Sequence, residues 1–112
     1  MKIAIVGSRD LVVENLKDFL PEGVTEIVSG GARGIDSCAR MYAENNGIRI
    51  TEYLPEYEKY GRAAPIKRND LIVDYSDIVL VFWDGKSKGT KYVIDRCIKK
   101  NKKVIVHNDN LA

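Results

Sequence analysis

The sequence predicts a single α/β domain over residues 1–112, built on a parallel sheet of five strands with helices on both faces. Three observations support this prediction. The length of 112 residues fits one domain, because soluble domains most often run to about 100–150 residues. Short apolar runs rich in β-branched residues alternate with stretches whose apolar residues recur at helical spacing. Glycines follow several predicted strands, where strand-to-helix connections must turn.

The first half of the chain predicts three strands and two helices. Lys2–Val6 has the composition of a buried strand. Apolar residues at helical spacing predict a helix over Val12–Leu20, with Ser8 or Asp10 as its N-terminal cap and Pro21 ending it. The other predicted elements of this half are the strand Thr25–Ser29, a helix from Ile35 to Asn46-Gly47, and the strand Ile48–Tyr53.

The second half predicts a loop, two helices and two strands. Leu54–Arg62 has the composition of a loop, and Pro65 suits the first turn of a helix that ends near Tyr75. Asp77–Trp83 is the most hydrophobic strand, so we expect it inside the sheet. The remaining elements are a helix whose apolar positions run from Thr90 to Ile98 and the strand Lys102–His107.

The composition excludes several classes of protein, namely membrane, fibrous, disordered and disulfide-framework proteins. The longest apolar run, Ile78–Trp83, is far shorter than the roughly 20 residues that span a bilayer, so we expect no membrane partner. A formal net charge of +2 is too small to indicate nucleic acid by itself. Two cysteines and an N-terminus without the pattern of a signal peptide favour a reduced, cytoplasmic location.

The alternation of strands and helices predicts the order 3-2-1-4-5, as in an open Rossmann-like or flavodoxin-like sheet. Ligands of such sheets bind beyond the carboxyl ends of the strands, where the strand order reverses. That point lies between strands 1 and 4. The three glycine-containing strand-to-helix loops, Gly7–Arg9, Gly30–Gly34 and Asp84–Thr90, all fall at or beside it.

Two of these loops have the composition of phosphate sites. In Ser29–Asp36, glycines would let a helix N-terminus approach an anion, and Arg33 would add a bidentate clamp and dominate ligand affinity. A tight turn with a solvent-facing arginine explains the same residues. In Asp84–Thr90, two glycines, two hydroxyls and two lysines precede a helix, although a solvated loop also fits. A dinucleotide site with Glu52 as its ribose-binding acid is a weaker alternative.

Other patterns argue against several kinds of catalysis. His107 is the only histidine, so a Ser-His-Asp or Cys-His arrangement has no base in a plausible place. Cys38 and Cys97 fall on apolar helix stripes, which is typical of buried thiols. We therefore expect no metal and no bound cofactor. The tyrosines at 53, 57 and 60 are compatible with a pocket lid or with a subunit interface.

Four stretches together resemble the SLOG superfamily, named for the DNA-processing protein Smf/DprA and the LOG enzymes, and most of all its small YspA/YpsA-related branch. The resemblance spans essentially the whole chain. The four stretches are IVGSRD (Ile5–Asp10), SGGARGID (Ser29–Asp36), YGRAAPIKRN (Tyr60–Asn69) and FWDGKSKGT (Phe82–Thr90).

The resemblance implies that the carboxyl edge of the sheet binds a nucleotide or a nucleotide-derived small molecule, with ADP-ribose and NAD derivatives as candidates. It also implies a homodimer, for which Tyr42, Tyr57, Tyr60 and Tyr75 would supply apolar surface. The residues expected at the ligand are Gly7, Ser8, Arg9, Gly30, Gly31, Arg33, Gly34, Arg68, Asn69, Asp84, Gly85, Gly89 and Thr90.

Two alternatives follow from the same resemblance. LOG enzymes cleave the N-glycosidic bond of nucleoside monophosphates, and Arg68 and Gly89-Thr90 match part of their motif, so Arg68 would be the catalytic residue of a hydrolase. Their glutamate is replaced here by Val93, and the candidates to substitute for it are Asp36, Asp84 and Asp95. SGGARGID is also similar to the loop that DprA uses near single-stranded DNA, which suggests a single-strand binder.

Overall fold

The computed structural model describes residues 1–107, and the last five residues of the predicted domain lie outside this range. Five strands form one parallel sheet in the order β3-β2-β1-β4-β5, which confirms the predicted sheet. The strands are β1 (Lys2–Gly7), β2 (Glu26–Ser29), β3 (Arg49–Glu52), β4 (Ile78–Phe82) and β5 (Lys103–His107). The α-helices are α1 (Ile35–Asn45), α2 (Tyr57–Tyr60), α3 (Ala64–Tyr75) and α4 (Lys88–Lys99), with 3-10 turns at Leu16–Phe19 and Gly61–Ala63.

Helices cover both faces of the sheet, because successive side chains of each strand point to opposite sides. In β1, Ile3 and Ile5 belong to the cluster that packs against α1, whereas Ala4 and Val6 belong to the cluster that packs against α3 and α4. All four residues are buried. The predicted two-faced architecture is therefore confirmed. No helix among residues 1–107 is long and apolar enough to cross a membrane.

The carboxyl ends of β1 and β4 are held in close register. Gly7 pairs with Phe82, and the N–H of Ser8 donates a 3.0 Å hydrogen bond to the Phe82 carbonyl. A Cβ at Gly7 would lie 2.5 Å from that carbonyl oxygen and 2.6 Å from Ile35 Cγ1. Gly7 therefore lets the first turn of α1 pack directly on the end of β1. This packing fixes the floor of the region between the two strands.

The prediction of a helix over Val12–Leu20 is wrong, because only the 3-10 turn Leu16–Phe19 forms in this part of the chain. Both residues expected to cap it are engaged elsewhere. Ser8 Oγ accepts the N–H of Asp84, and Asp10 lies 3.9 Å from the guanidinium of Arg33. The β-branched pair Val12-Val13 also lowers helix propensity. The crossover from β1 to β2 consequently packs against α1 as a largely irregular segment.

The prediction of a loop over Leu54–Arg62 is wrong in part, because this segment contains α2 and most of the second 3-10 turn. That turn leads directly into α3. Gly61 ends α2 with φ of +55°, a conformation that glycine adopts without strain. The predicted position of Pro65 in the first turn of α3 and the predicted end of this helix near Tyr75 are confirmed. Each of the other predicted strands and helices both begins and ends within two residues of its predicted position.

Candidate functional site

A cavity of about 570 Å³ opens at the carboxyl ends of β1 and β4, at the predicted reversal of strand order. Its size is in the range of small-molecule sites. Ten of the thirteen residues expected at a ligand line it: Gly7, Ser8, Arg9, Gly30, Arg33, Arg68, Asn69, Asp84, Gly89 and Thr90. The structure therefore brings most of the predicted residues into one place.

The other three expected residues are glycines that do not line the cavity, and each has a positive φ. A Cβ at Gly31 would overlap the side chain of Leu54, and a Cβ at Gly34 would overlap the backbone of Arg9. Gly85 faces open space and has a φ of +81°. These glycines shape the loops, and Gly34 allows the loop after β1 to approach the start of α1.

Asp84 organises the loop between β4 and α4. Its Oδ1 accepts the N–H groups of Lys86 and Ser87, both at 2.8 Å, and its own N–H donates to Ser8 Oγ at 3.1 Å. The hydrogen bonds from Ser87 and Lys86 lower the pKa of the Asp84 carboxyl. Asp84 is thus ionised and largely occupied by its own loop. Its role here is to fix one wall of the cavity.

The N-terminus of α4 faces the cavity with an intact cap. Ser87 Oγ accepts the N–H of Thr90 at 3.3 Å, and the two hydroxyl oxygens lie 3.0 Å apart. Gly89, in the first turn, lines the cavity, and a Cβ built there meets no atom within 4 Å. The first-turn N–H groups of a helix have no intrahelical acceptor, so this end of α4 can approach an anion closely.

Arg68 reaches the cavity from α3 and is buried, with a relative exposure of 9%. Its Nη1 donates to the carbonyl oxygen of Gly30 at 2.7 Å and to that of Tyr53 at 3.5 Å. Its Nε is buried and has no hydrogen-bond partner within residues 1–107. Burial lowers the pKa of Arg68, although the neighbouring Asp36 carboxylate opposes this effect. A guanidinium that lines a cavity at such low exposure can bind an anion strongly.

Asp36, in the first turn of α1, also lines the cavity and is 7% exposed. Burial raises the pKa of its carboxyl, while the N–H of Ala32, the charge of Arg68 and the hydroxyl of Ser29 oppose that shift. The Ala32 N–H donates to Asp36 Oδ2 at 3.1 Å. The cavity thus contains a buried carboxyl and a buried guanidinium, both of which lie next to Gly30.

The remaining cations lie at the rim. Arg9, Arg33 and Lys86 line the cavity but are exposed. The side chain of Arg33 is 76% exposed, and its Nη2 lies 3.9 Å from Asp10 Oδ1. The sequence pattern favours Arg33 because this residue precedes a helix, whereas in the structure Arg68 is the buried arginine. Arg68 is therefore the cation with the stronger field inside the cavity.

The apolar wall of the cavity was not predicted from the sequence. Val6, Ile72 and Val93 contribute it, together with Pro65 in the first turn of α3. Alternation along β1 and helical spacing could have placed these side chains on one face, but not at a cavity. No aromatic residue lines the cavity within the part of the chain that the structure describes. Val93 adds an isopropyl group to this wall and no carboxylate.

Other candidate residues lie outside the cavity. Glu52 pairs with Arg40, and Asp95 pairs with Lys91 at 2.8 Å, so Asp36 and Asp84 are the substitute carboxylates that reach the site. Trp83 Nε1 donates to the Ser87 carbonyl at 3.0 Å, and its half-buried side chain packs against the core. Across residues 1–107, no group of three His, Cys, Asp or Glu side chains could hold a metal ion.

Of the tyrosines expected at a subunit interface, Tyr42 and Tyr75 are half-buried within the domain, whereas Tyr57 and Tyr60 are exposed. The homodimer therefore stays a prediction, which light scattering tests. Comparison with models of known protein families found no match, and comparisons with curated proteins and with solved structures found none either.

Proposed function

We propose that this protein binds a nucleotide or a nucleotide-derived small molecule, such as ADP-ribose or an NAD derivative, at the carboxyl edge of its sheet. The observation that supports this proposal most directly is Arg68, a guanidinium that lines the cavity and is only 9% exposed. A cation at such low exposure is poorly screened by water, so it interacts strongly with an anion. A phosphate that enters the cavity would pair with it.

The arrangement of donors around Arg68 supports a phosphate in particular. The first turns of α1 and α4 both contribute to the cavity, through Asp36 and Gly89. Each helix has more than ten residues, and the N-terminus of a helix favours negative charge. Two such ends on one cavity suit a ligand with two phosphates, or with one phosphate and a ribose.

The rest of the lining suits a sugar. Ser8, Asn69 and Thr90 bring polar groups to the cavity, and Val6 and Ile72 bring an aliphatic surface. A ribose presents hydroxyls at its edge and C–H groups on its faces, so it matches a wall of this mixed kind. The resemblance to the SLOG superfamily in IVGSRD, SGGARGID and FWDGKSKGT points to the same class of ligand.

Thermal unfolding with AMP, ADP-ribose, NAD and inorganic phosphate tests this proposal. A ligand present at about 100 times its dissociation constant stabilises the folded state by roughly 2.7 kcal/mol. We expect at least one of the nucleotides to raise Tm in the wild type and to lose this effect in Arg68→Ala. Arg62→Ala, which removes an exposed arginine outside the cavity, is the matched control. A wild type that responds to none of these ligands would refute the proposal.

A second candidate, nucleotide N-glycosidase activity, is favoured by one observation. Asp36 is a buried carboxyl with a raised pKa in the same cavity as Arg68, and such a carboxyl can act as a general acid. Hydrolysis would add water at C1′ of the sugar and release the free base. Chromatography of AMP incubated with the wild type and with Asp36→Asn tests this activity. A salt-dependent response to oligonucleotides but not to mononucleotides would instead indicate a single-strand binder.

A further inference from the structure

Asp36 places a buried carboxyl inside the cavity, and the binding of an anion does not explain its presence there. We propose that Asp36 accepts a hydrogen bond from the 2′-hydroxyl of the ribose of the bound nucleotide. The inference rests on the proposed function, since it concerns the sugar of the same ligand. It makes Asp36 the residue that selects ribonucleotides over deoxyribonucleotides.

The carboxyl of Asp36 lies close to the guanidinium of Arg68 but does not pair with it directly. A Cβ built on Gly30 would lie 3.0 Å from Asp36 Oδ2 and 3.0 Å from Arg68 Cζ, so both groups border the same glycine. Within residues 1–107, no salt bridge joins the two side chains. Both line the cavity and both are buried. A single small group of a ligand can therefore contact the acceptor and the cation together.

The ligand group next to Asp36 has to be a hydrogen-bond donor. A phosphate oxygen would be repelled by a carboxylate that water screens so poorly, so the phosphate belongs away from Asp36. The Ala32 N–H at 3.1 Å and the Ser29 hydroxyl use only part of the carboxylate, which offers about four acceptor sites. A hydroxyl can donate to Asp36 and also accept from Arg68, whereas an amino group only donates.

The lining of the cavity fits the sugar of a nucleotide better than its base. No aromatic ring lines the cavity within the described residues, so a base finds no stacking surface there. Val6 and Ile72 offer an aliphatic surface that matches the C–H faces of a ribose. Of the two helix ends at the cavity, that of α4 would then take the phosphate and that of α1 the ribose.

A carboxylate is a suitable partner for the 2′-hydroxyl in particular. An acidic side chain holds this hydroxyl in the dinucleotide sites of other parallel α/β sheets, and the 2′-hydroxyl is the group by which proteins distinguish ribose from deoxyribose. Glu52, the acid that the sequence suggests for this role, pairs with Arg40 and does not line the cavity. Asp36 is buried in the cavity and takes its place.

Isothermal titration with AMP and with 2′-deoxy-AMP tests the inference, because the two ligands differ only in the 2′-hydroxyl. We expect the wild type to bind AMP roughly 10- to 100-fold more tightly, the range for a hydrogen bond to a charged group. Asp36→Ala should bring the ratio of the two dissociation constants close to one. Removing the carboxylate also relieves its repulsion of the phosphate, but this effect is common to both ligands and cancels in the ratio.

Two further variants keep the test specific. Asp10→Ala is the matched control, because it removes the same charge from the exposed rim of the same cavity, and it should leave the ratio at its wild-type value. Asp36→Asn keeps the size of the side chain and an acceptor for the Ala32 N–H, so it serves if Asp36→Ala does not fold. It should lower the ratio as well, since a neutral hydrogen bond is weaker than one to a carboxylate.

The outcomes separate this inference from the proposed function. Equal affinity of the wild type for AMP and 2′-deoxy-AMP would overturn the role of Asp36 and leave nucleotide binding intact. A wild-type ratio in the Asp36 variants, or an equal fall of the ratio in Asp10→Ala, would likewise overturn it, because the selection would not depend on Asp36 in particular. A wild type that binds neither ligand, nor any nucleotide in the thermal assay, would overturn both proposals.

Discussion

Arg68 Nη1 donates a 2.7 Å hydrogen bond to the carbonyl oxygen of Gly30, which joins α3 to the loop after β2 beneath the cavity. The bond is buried and spans 38 residues of sequence. The neighbouring Nε is also buried and has no partner in the described part of the chain. The bond to Gly30 thereby fixes the position of the guanidinium that lines the cavity.

Gly30→Ala tests this position of the guanidinium. A Cβ at position 30 would overlap Arg68 Nη1 and lie 3.0 Å from Asp36 Oδ2, so the guanidinium has to move. The φ of Gly30 is not positive, so the backbone itself accepts alanine. We expect nucleotide affinity to fall by about tenfold or more, as for loss of a charged hydrogen bond, with far-ultraviolet circular dichroism unchanged. Unchanged affinity would show that the position of Arg68 is unimportant for the ligand.

Arg68→Ala and Arg33→Ala should differ in their effect on affinity. Arg68 is buried, and a charged hydrogen bond there contributes about 1.5–3 kcal/mol, which corresponds to roughly 10- to 100-fold in affinity. Arg33 is largely exposed, so its contribution is screened and we expect a change of no more than about fivefold. Titration calorimetry at two salt concentrations measures both. A larger loss in Arg33→Ala would restore the ranking expected from the sequence.

The order of the strands could be predicted from the sequence because it depends on patterns that are local. Alternating apolar runs and helical spacing identify the elements, and the rules for parallel sheets then leave few arrangements. The edge of the sheet that holds the cavity followed from the same order. Glycines after strands 1 and 2 indicated where the backbone must turn or pack closely, and the structure shows that at Gly7 and Gly34.

The details of the site depend on contacts between distant residues, which no local pattern contains. Ser8 is a good helix cap by composition, but its hydroxyl is used by Asp84, 76 residues later. Arg33 and Arg68 have the same chemistry, and their burial differs only because of tertiary packing. Sequence spacing therefore located the loops of the cavity but did not rank the charges within it.

Asp36→Asn should stabilise the protein at neutral pH. Burial raises the folded-state pKa of Asp36 above 3.8, so ionising this carboxyl costs stability as the pH rises through that range. Asparagine keeps an acceptor for the Ala32 N–H and removes the buried charge. We expect the free energy of unfolding of the variant to exceed that of the wild type at pH 7, with the gap closing toward pH 4. Urea unfolding across this range measures it, and a less stable variant at pH 7 would contradict the argument.

Glu26 should show the opposite pH dependence. Thr51 Oγ1 and Tyr75 OH each donate to its Oε2 at 2.6 Å, and these bonds lower the pKa of Glu26 below 4.5. A lowered carboxyl pKa contributes stability above about pH 4.5 that is lost as the pH falls through the folded-state value. Tyr75→Phe should move the Glu26 pKa upward in a carbon-13 NMR titration. Tyr42→Phe, on the other face of the sheet, should leave it unchanged.

The two cysteines should differ in reactivity because the fold protects only one of them completely. Cys97 is fully buried, and burial raises the pKa of its thiol to about 11. At pH 8 roughly one molecule in a thousand would carry the reactive thiolate, since each pKa unit is a factor of ten. Cys38 is half-buried on α1 and accepts the N–H of Val13 at 3.5 Å. Iodoacetamide at pH 8, followed by mass spectrometry of peptides, should modify Cys38 first and Cys97 only in denaturant. Equal modification rates in the native protein would mean that α4 opens far more readily than its buried contacts with the sheet predict.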